Sequence, residues 1–113
     1  MNIKKLKEFP REFIKINIDI HLLKEQILKA SNYNKPSGMD DRWYVTCESD
    51  IINFYRTWTG SCIYRVKMNN EKNRLIQLDI NNNLEQYKFS NIEEEIVLFD
   101  SIFNLLLPPT KSE

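Results

Sequence analysis

The stretch from Arg42 to Ile80 leaves fewer folds open than any other part of this chain. Four short runs rich in aromatic and β-branched residues follow one another: Arg42–Glu48, Ile51–Trp58, Cys62–Met68 and Arg74–Ile80. Polar turn residues separate them at Glu48-Ser49-Asp50, Thr59-Gly60-Ser61 and Asn69 to Asn73. Apolar alternation with period two, broken by short polar turns, predicts an antiparallel meander of four strands. Side chains alternate across a sheet, so the core-facing sets can be read directly. They are Trp43, Val45 and Cys47, then Ile52, Phe54, Arg56 and Trp58, then Cys62, Tyr64, Val66 and Met68.

A sheet with one apolar face needs a cover. Ile92, Ile96, Phe99, Phe103 and Leu106 recur at helical spacing, and Ser90 or Asn91 can cap the start. Glu93, Glu94 and Glu95 suit the positive end of the helix dipole, and Pro108-Pro109 ends the element. At the front, Ile14, Ile16, Ile18 and Ile20 alternate with polar residues, which reads as a strand or as an irregular lead-in to a helix. Leu22, Leu23, Ile27 and Ala30 then predict a helix over about residues 19–31, with Asp19 or Asn17 as its cap. Asn34-Lys35-Pro36-Ser37-Gly38 is a loop by turn chemistry. The expected fold class is α+β: a four-stranded antiparallel meander packed on an N-terminal helix and a C-terminal helix. With 113 residues there is room for one core. A single domain over 1–113 is expected, with a helical front about 1–33, the loop 34–38, a sheet over 42–80 and the last helix about 91–107.

Charge narrows the partners. Lys plus Arg number sixteen, as do Asp plus Glu, so the formal net charge is zero and a general nucleic-acid binder is disfavoured. No apolar run approaches a membrane span, and Phe9-Pro10-Arg11-Glu12 stands where a signal peptide would continue its apolar core. Cys47 and Cys62 fit reduced thiols in a cytoplasmic protein. With the single histidine, His21, far from both in sequence, they make no zinc pattern. Abundant Asn, Ile and Lys with two glycines is a composition associated with AT-rich bacterial or phage genomes.

No conventional catalytic set stands out, and no cofactor or metal is implied. Gly38 and Gly60 cannot build a glycine-rich phosphate loop. Cys47 or Cys62 with His21 would be a thiol–base pair, but both cysteines belong to the core-facing sets. Asp40-Asp41 reads as a solvated surface pair. Arg56 is the anomaly, a cation on an otherwise apolar strand face. Either it pairs with a carboxylate such as Asp100 or Glu48, or snorkels out at the sheet edge, or it lines a pocket for an anion. Arg42, Trp43, Tyr55, Arg56, Trp58 and Tyr64 lie close in sequence or across predicted hairpins. They combine the planes and cations that a nucleotide requires.

Met39-Asp40-Asp41-Arg42-Trp43-Tyr44-Val45, the run from Phe54 to Tyr64 with its Trp58-Thr59-Gly60 turn, and the later Gln86-Tyr87 resemble a group of short bacterial domains over about residues 39–106. Some of that group accompany ADP-ribose-processing domains, so the resemblance implies a link to NAD-derived nucleotides without naming an activity. Members often carry histidine where Tyr55 stands and Arg-Asp where Asn82-Asn83 stand. A reaction that used that histidine would be lost here while binding was kept. The expectation is a binding protein for a small anionic ligand of ADP-ribose type. Arg42 and Arg56 would take phosphates, Trp43, Trp58 and Tyr64 would stack, and Thr59 and Gln86 would hydrogen-bond. The alternatives are an inhibitor or immunity-type module with a protein partner or a second copy, and a small ADP-ribose-linked hydrolase.

Overall fold

The structure, a computed structural model, describes residues 6–22 and 43–106. Its centre is one antiparallel sheet of five strands: β1 Phe13–His21, β2 Trp43–Glu48, β3 Ile51–Arg56, β4 Cys62–Met68 and β5 Arg74–Asn81. The order across the sheet is β1-β5-β4-β3-β2. The meander of β2 to β5 forms as its alternation dictates. The four-strand, two-helix arrangement does not. The isoleucine alternation of 14–20 makes a fifth strand on β5, pairing Ile14 with Ile80 and Ile16 with Leu78. Asp19 is no helix cap. It forms a cross-strand ion pair with Arg74 at 3.2 Å, and the strand runs on to His21. The remainder of the expected N-terminal helix, the loop 34–38 and Asp40-Asp41 lie outside the described residues.

Register sorts the sheet into rows. On one face Ile14, Ile80, Tyr64, Phe54 and Val45 stand side by side, and the next row is Ile16, Leu78, Val66, Ile52 and Cys47. On the other face Lys15, Asp79, Arg65, Asn53 and Thr46 form a polar row. One expected core residue changes sides. Phe54 faces Tyr64 but Tyr55 faces Cys62, so Ile63 is an extra, bulged residue. Ile63 joins the core, while the Cys62 thiol lies 4.0 Å from Asn53 Oδ1 on the polar side.

Helix α1, Ile92–Leu106, is the one helix among the described residues. Asn91 caps it, its Oδ1 accepting from the Glu94 amide at 2.9 Å. The buried stripe is Glu95, Phe99, Ile102 and Phe103, rotated from the expected one, and Ile92 is largely exposed. Phe99 meets Phe54 edge-on at 5.6 Å and Tyr64 at 5.3 Å. Those contacts seat the helix on the sheet.

Both cysteines are free, and β3 separates their strands. Cys62 is buried and its thiol is pushed up to about 12 by that burial. Cys47 is half-buried rather than buried, and burial raises it too. A thiol reagent should therefore label Cys47 slowly in the native protein and Cys62 only as the chain unfolds. Time-resolved intact mass checks this; two fast adducts, or loss of two hydrogens without reductant, would contradict it.

Candidate functional site

At one end of the sheet, the turn after β3 and the segment after β5 come together. The turn needs Gly60, whose φ of 77° lies in the left-handed region where a Cβ is costly. The Gly60 amide donates to Arg56 O at 2.7 Å, and the Arg56 amide donates to Ser61 O at 2.9 Å. Thr59 Oγ1 accepts from the Ser61 amide at 3.2 Å. Lys7 adds a backbone donation to Gly60 O at 2.9 Å. Across from the turn, buried Asn81 organises the other wall. Its Nδ2 donates to Cys62 O at 2.8 Å and to Gln86 Oε1 at 2.9 Å, while its Oδ1 accepts from the Asn83 amide at 2.7 Å.

Between these walls lies a cleft of about 350 Å³, lined by Arg56, Trp58, Thr59, Gln86, Tyr87 and Lys88. Four of the expected site residues, Arg56, Trp58, Thr59 and Gln86, are thus brought together. Arg42 lies outside the described residues. Trp43 and Tyr64 are not in the lining. Both are buried, stacked on one another at 6.2 Å, and they form the support beneath the cleft. Tyr55 turns to the polar face, where it packs against Tyr44 at 6.3 Å.

Of the readings open for Arg56, the outward-reaching one agrees with its exposure. β3 ends at Arg56, so the side chain is exposed, and Trp58 stands in the turn at 69% exposure. No desolvated guanidinium has to be neutralised. Neither Asp100 nor Glu48 pairs with it, and no other carboxylate does so among the described residues. Its contact is the ring of Trp43, its cross-strand neighbour, 5.1 Å below the guanidinium carbon. A cation over an indole face keeps its N–H edge available for an anion.

Tyr87 and Lys88 are the site residues that the sequence reading missed. Tyr87 is fixed from behind. Glu95, 2% exposed, accepts from Tyr87 Oη at 2.7 Å and from Tyr64 Oη at 3.0 Å through Oε1, and from the Ser90 amide at 3.0 Å through Oε2. The acidic triplet had suggested only dipole matching, yet one member is a buried latch. The signal was available in the i, i+4 spacing of Glu95 with Phe99. Burial pushes the Tyr87 phenol up to about 12 and raises Tyr64 further. Unfolded tyrosine ionises at about 10, so above that pH the unfolded chain holds fewer protons than the folded one. Stability is therefore expected to fall as pH rises from about 10 towards 12, less steeply in Tyr87→Phe. Urea midpoints across that range measure it, and a slope unchanged by Tyr87→Phe would contradict the latch.

A second, larger groove of about 500 Å³ lies on the polar face. Its lining mixes Glu8, Glu48 and Asp79 with Arg65 and Lys67. Arg65 is already engaged by Asp79 at 2.9 and 3.0 Å and lies 4.3 Å over the Phe9 ring. The smaller cleft is the better anion site, because no carboxylate is present among its described lining residues. His21, on the edge strand β1, has β5, β4 and β3 between it and Cys47 on β2, so these two cannot form a thiol–base pair. Among the described residues no group of three or more His, Cys, Asp or Glu is placed to hold a metal ion, and no helix is long and apolar enough to cross a membrane. Comparison with protein-family models, curated proteins and solved structures found no match.

Proposed function

We propose that this chain is a non-enzymatic binding protein for a small anionic ligand with a planar ring, held in the cleft between the Thr57–Gly60 turn and the Gln86–Lys88 wall. An ADP-ribose-like nucleotide is the ligand type that the resemblance to short bacterial domains suggests. Holding such a molecule would sequester a nucleotide signal in a bacterial or phage setting. The observation that supports this reading is the meeting of two cations, Arg56 and Lys88, with two rings, Trp58 and Tyr87, in one concave site. A hydrolase would need a general base, and the described lining supplies cations, rings, a hydroxyl and an amide instead. The inhibitor or immunity-type alternative draws on the exposed apolar residues of α1, Val97 at 67% and Leu105 at 54%.

Mass spectrometry of small molecules released on denaturing the purified protein tests the ligand reading directly. An anionic aromatic compound in stoichiometric amount is the expected result; a tightly bound protein and no small molecule would favour the interaction module. Arg56→Ala should weaken ligand binding by about 1.5–3 kcal/mol, the range for hydrogen bonds to charged groups. Arg56→Lys should recover only part of it, because an ammonium lacks the planar fork. Neither change should move the melting temperature much, since the side chain is exposed. Calorimetric titration with thermal melts checks both. Unchanged affinity in Arg56→Ala would remove this residue from the site.

A further inference from the structure

The polar groups around the cleft share one property that narrows its ligand. Arg56 and Lys88 can only donate hydrogen bonds. Gln86 Oε1 already accepts one hydrogen bond from Asn81 Nδ2 at 2.9 Å, and its amide N–H groups add two donors. Thr59 Oγ1 already accepts from the Ser61 amide and has its O–H to give. The Tyr87 hydroxyl gives its proton to Glu95 at 2.7 Å, so it adds no donor to the cleft and that wall presents chiefly a ring. The described lining is therefore rich in donors, with two ring surfaces and no carboxylate.

The two cations also stand on different walls, Arg56 at the end of β3 and Lys88 in the segment after β5. A group that presents acceptors in several directions from a single point is suited to meeting both. A terminal phosphoryl group does so, with about three strong acceptor oxygens and a charge near −2. A bridging diphosphate spreads its charge along a chain. A cleft of about 350 Å³ with one exposed indole also suits one planar ring better than an extended molecule.

We infer that the cleft recognises a terminal phosphate monoester on a compact aromatic body, the nucleoside monophosphate class, with the phosphoryl group between Arg56 and Lys88 and the ring on Trp58. This rests on the anion-binding reading above and narrows it. It also carries a pH signature, because the second ionisation of a phosphate monoester lies at about 6 while a bridging diphosphate has none there. The groups facing the phosphoryl position are Arg56 from β3, and Lys88 and Tyr87 from the segment after β5, with Glu95 of α1 behind Tyr87. No histidine is among them.

Calorimetric titration of the full chain with adenosine 5′-monophosphate, ADP-ribose, adenosine and inorganic phosphate at two pH values tests the inference. At pH 7.5 the monophosphate should bind at least about tenfold more tightly than each of the other three. At pH 5 its affinity should fall severalfold while that of ADP-ribose stays level, which separates titration of the ligand from titration of the protein. Lys88→Ala, at an exposed position, should weaken the monophosphate more than adenosine. ADP-ribose binding as tightly as the monophosphate, or a flat pH profile for the monophosphate, overturns the inference. The broader anion reading still stands in that case if Arg56→Ala weakens whatever binds. If none of the four binds, or Arg56→Ala changes nothing, the anion-binding cleft itself is refuted.

Discussion

Phe99→Ala should lower the stability of the folded chain by about 3–5 kcal/mol, the usual cost of emptying a phenylalanine site in a core. Phe99 is 1% exposed and sits where helix and sheet meet, against Phe54, Tyr64 and Phe103 at 5.6, 5.3 and 5.8 Å. Truncation removes three ring contacts at a stroke, and the surrounding strands cannot collapse into the gap because their register is fixed by the ladder. A domain of this size has about 5–15 kcal/mol in total, so the variant is expected to be marginal at room temperature. Phe103→Ala should follow the same course with a smaller loss, since Phe103 makes more distant ring contact with Phe54, at 6.4 Å. Urea denaturation followed by circular dichroism measures both. Curves that overlay the parent would mean that α1 does not cover the sheet in solution.

Glu95→Leu should cost about 2–4 kcal/mol although leucine is the more apolar residue. The substitution strands two phenol hydroxyls and the Ser90 amide, all now satisfied by one carboxylate. Tyr64 and Tyr87 can recover part of the loss by bonding each other, since their oxygens are already 3.4 Å apart. Glu95→Gln keeps an acceptor in place and should cost less than the leucine variant. The order of the two, read from denaturation midpoints, is the test: a leucine variant as stable as the parent would show that the latch contributes nothing. Because the latch holds Tyr87, Glu95→Leu should also loosen the cleft wall.

The meander from Trp43 to Asn81 was legible because alternation and turn chemistry agree along it, each local preference pointing to the same sheet. The isoleucines of β1 carried the same period, but a strand that pairs with β5 across more than fifty residues of chain leaves no local mark of its partner, and the helical spacing of Leu22, Leu23 and Ile27 competed with it. The bulge at Ile63 cannot be read from alternation, which assumes an unbroken register and so puts Cys62 on the wrong face. Alternation places Arg56 and Trp58 on a buried face, but β3 ends at Arg56 and both side chains are exposed. They reach the cleft because the chain turns there. Tyr87 and Lys88 are not legible in the sequence because their segment has no periodicity and is shaped by the side chain of a single buried asparagine, Asn81.

The claim that binding occurs at this end of the sheet is tested most directly by a two-dimensional nitrogen–proton NMR map of the labelled chain during addition of adenosine 5′-monophosphate. The predicted result is a saturable set of shifts centred on the Trp58 indole, the Arg56 side-chain N–H, the Gln86 amide and the backbone of Tyr87 and Lys88. Shifts gathered instead on Tyr55, Arg65 and Lys67 in the groove of the opposite face, or no shifts at all, would contradict it.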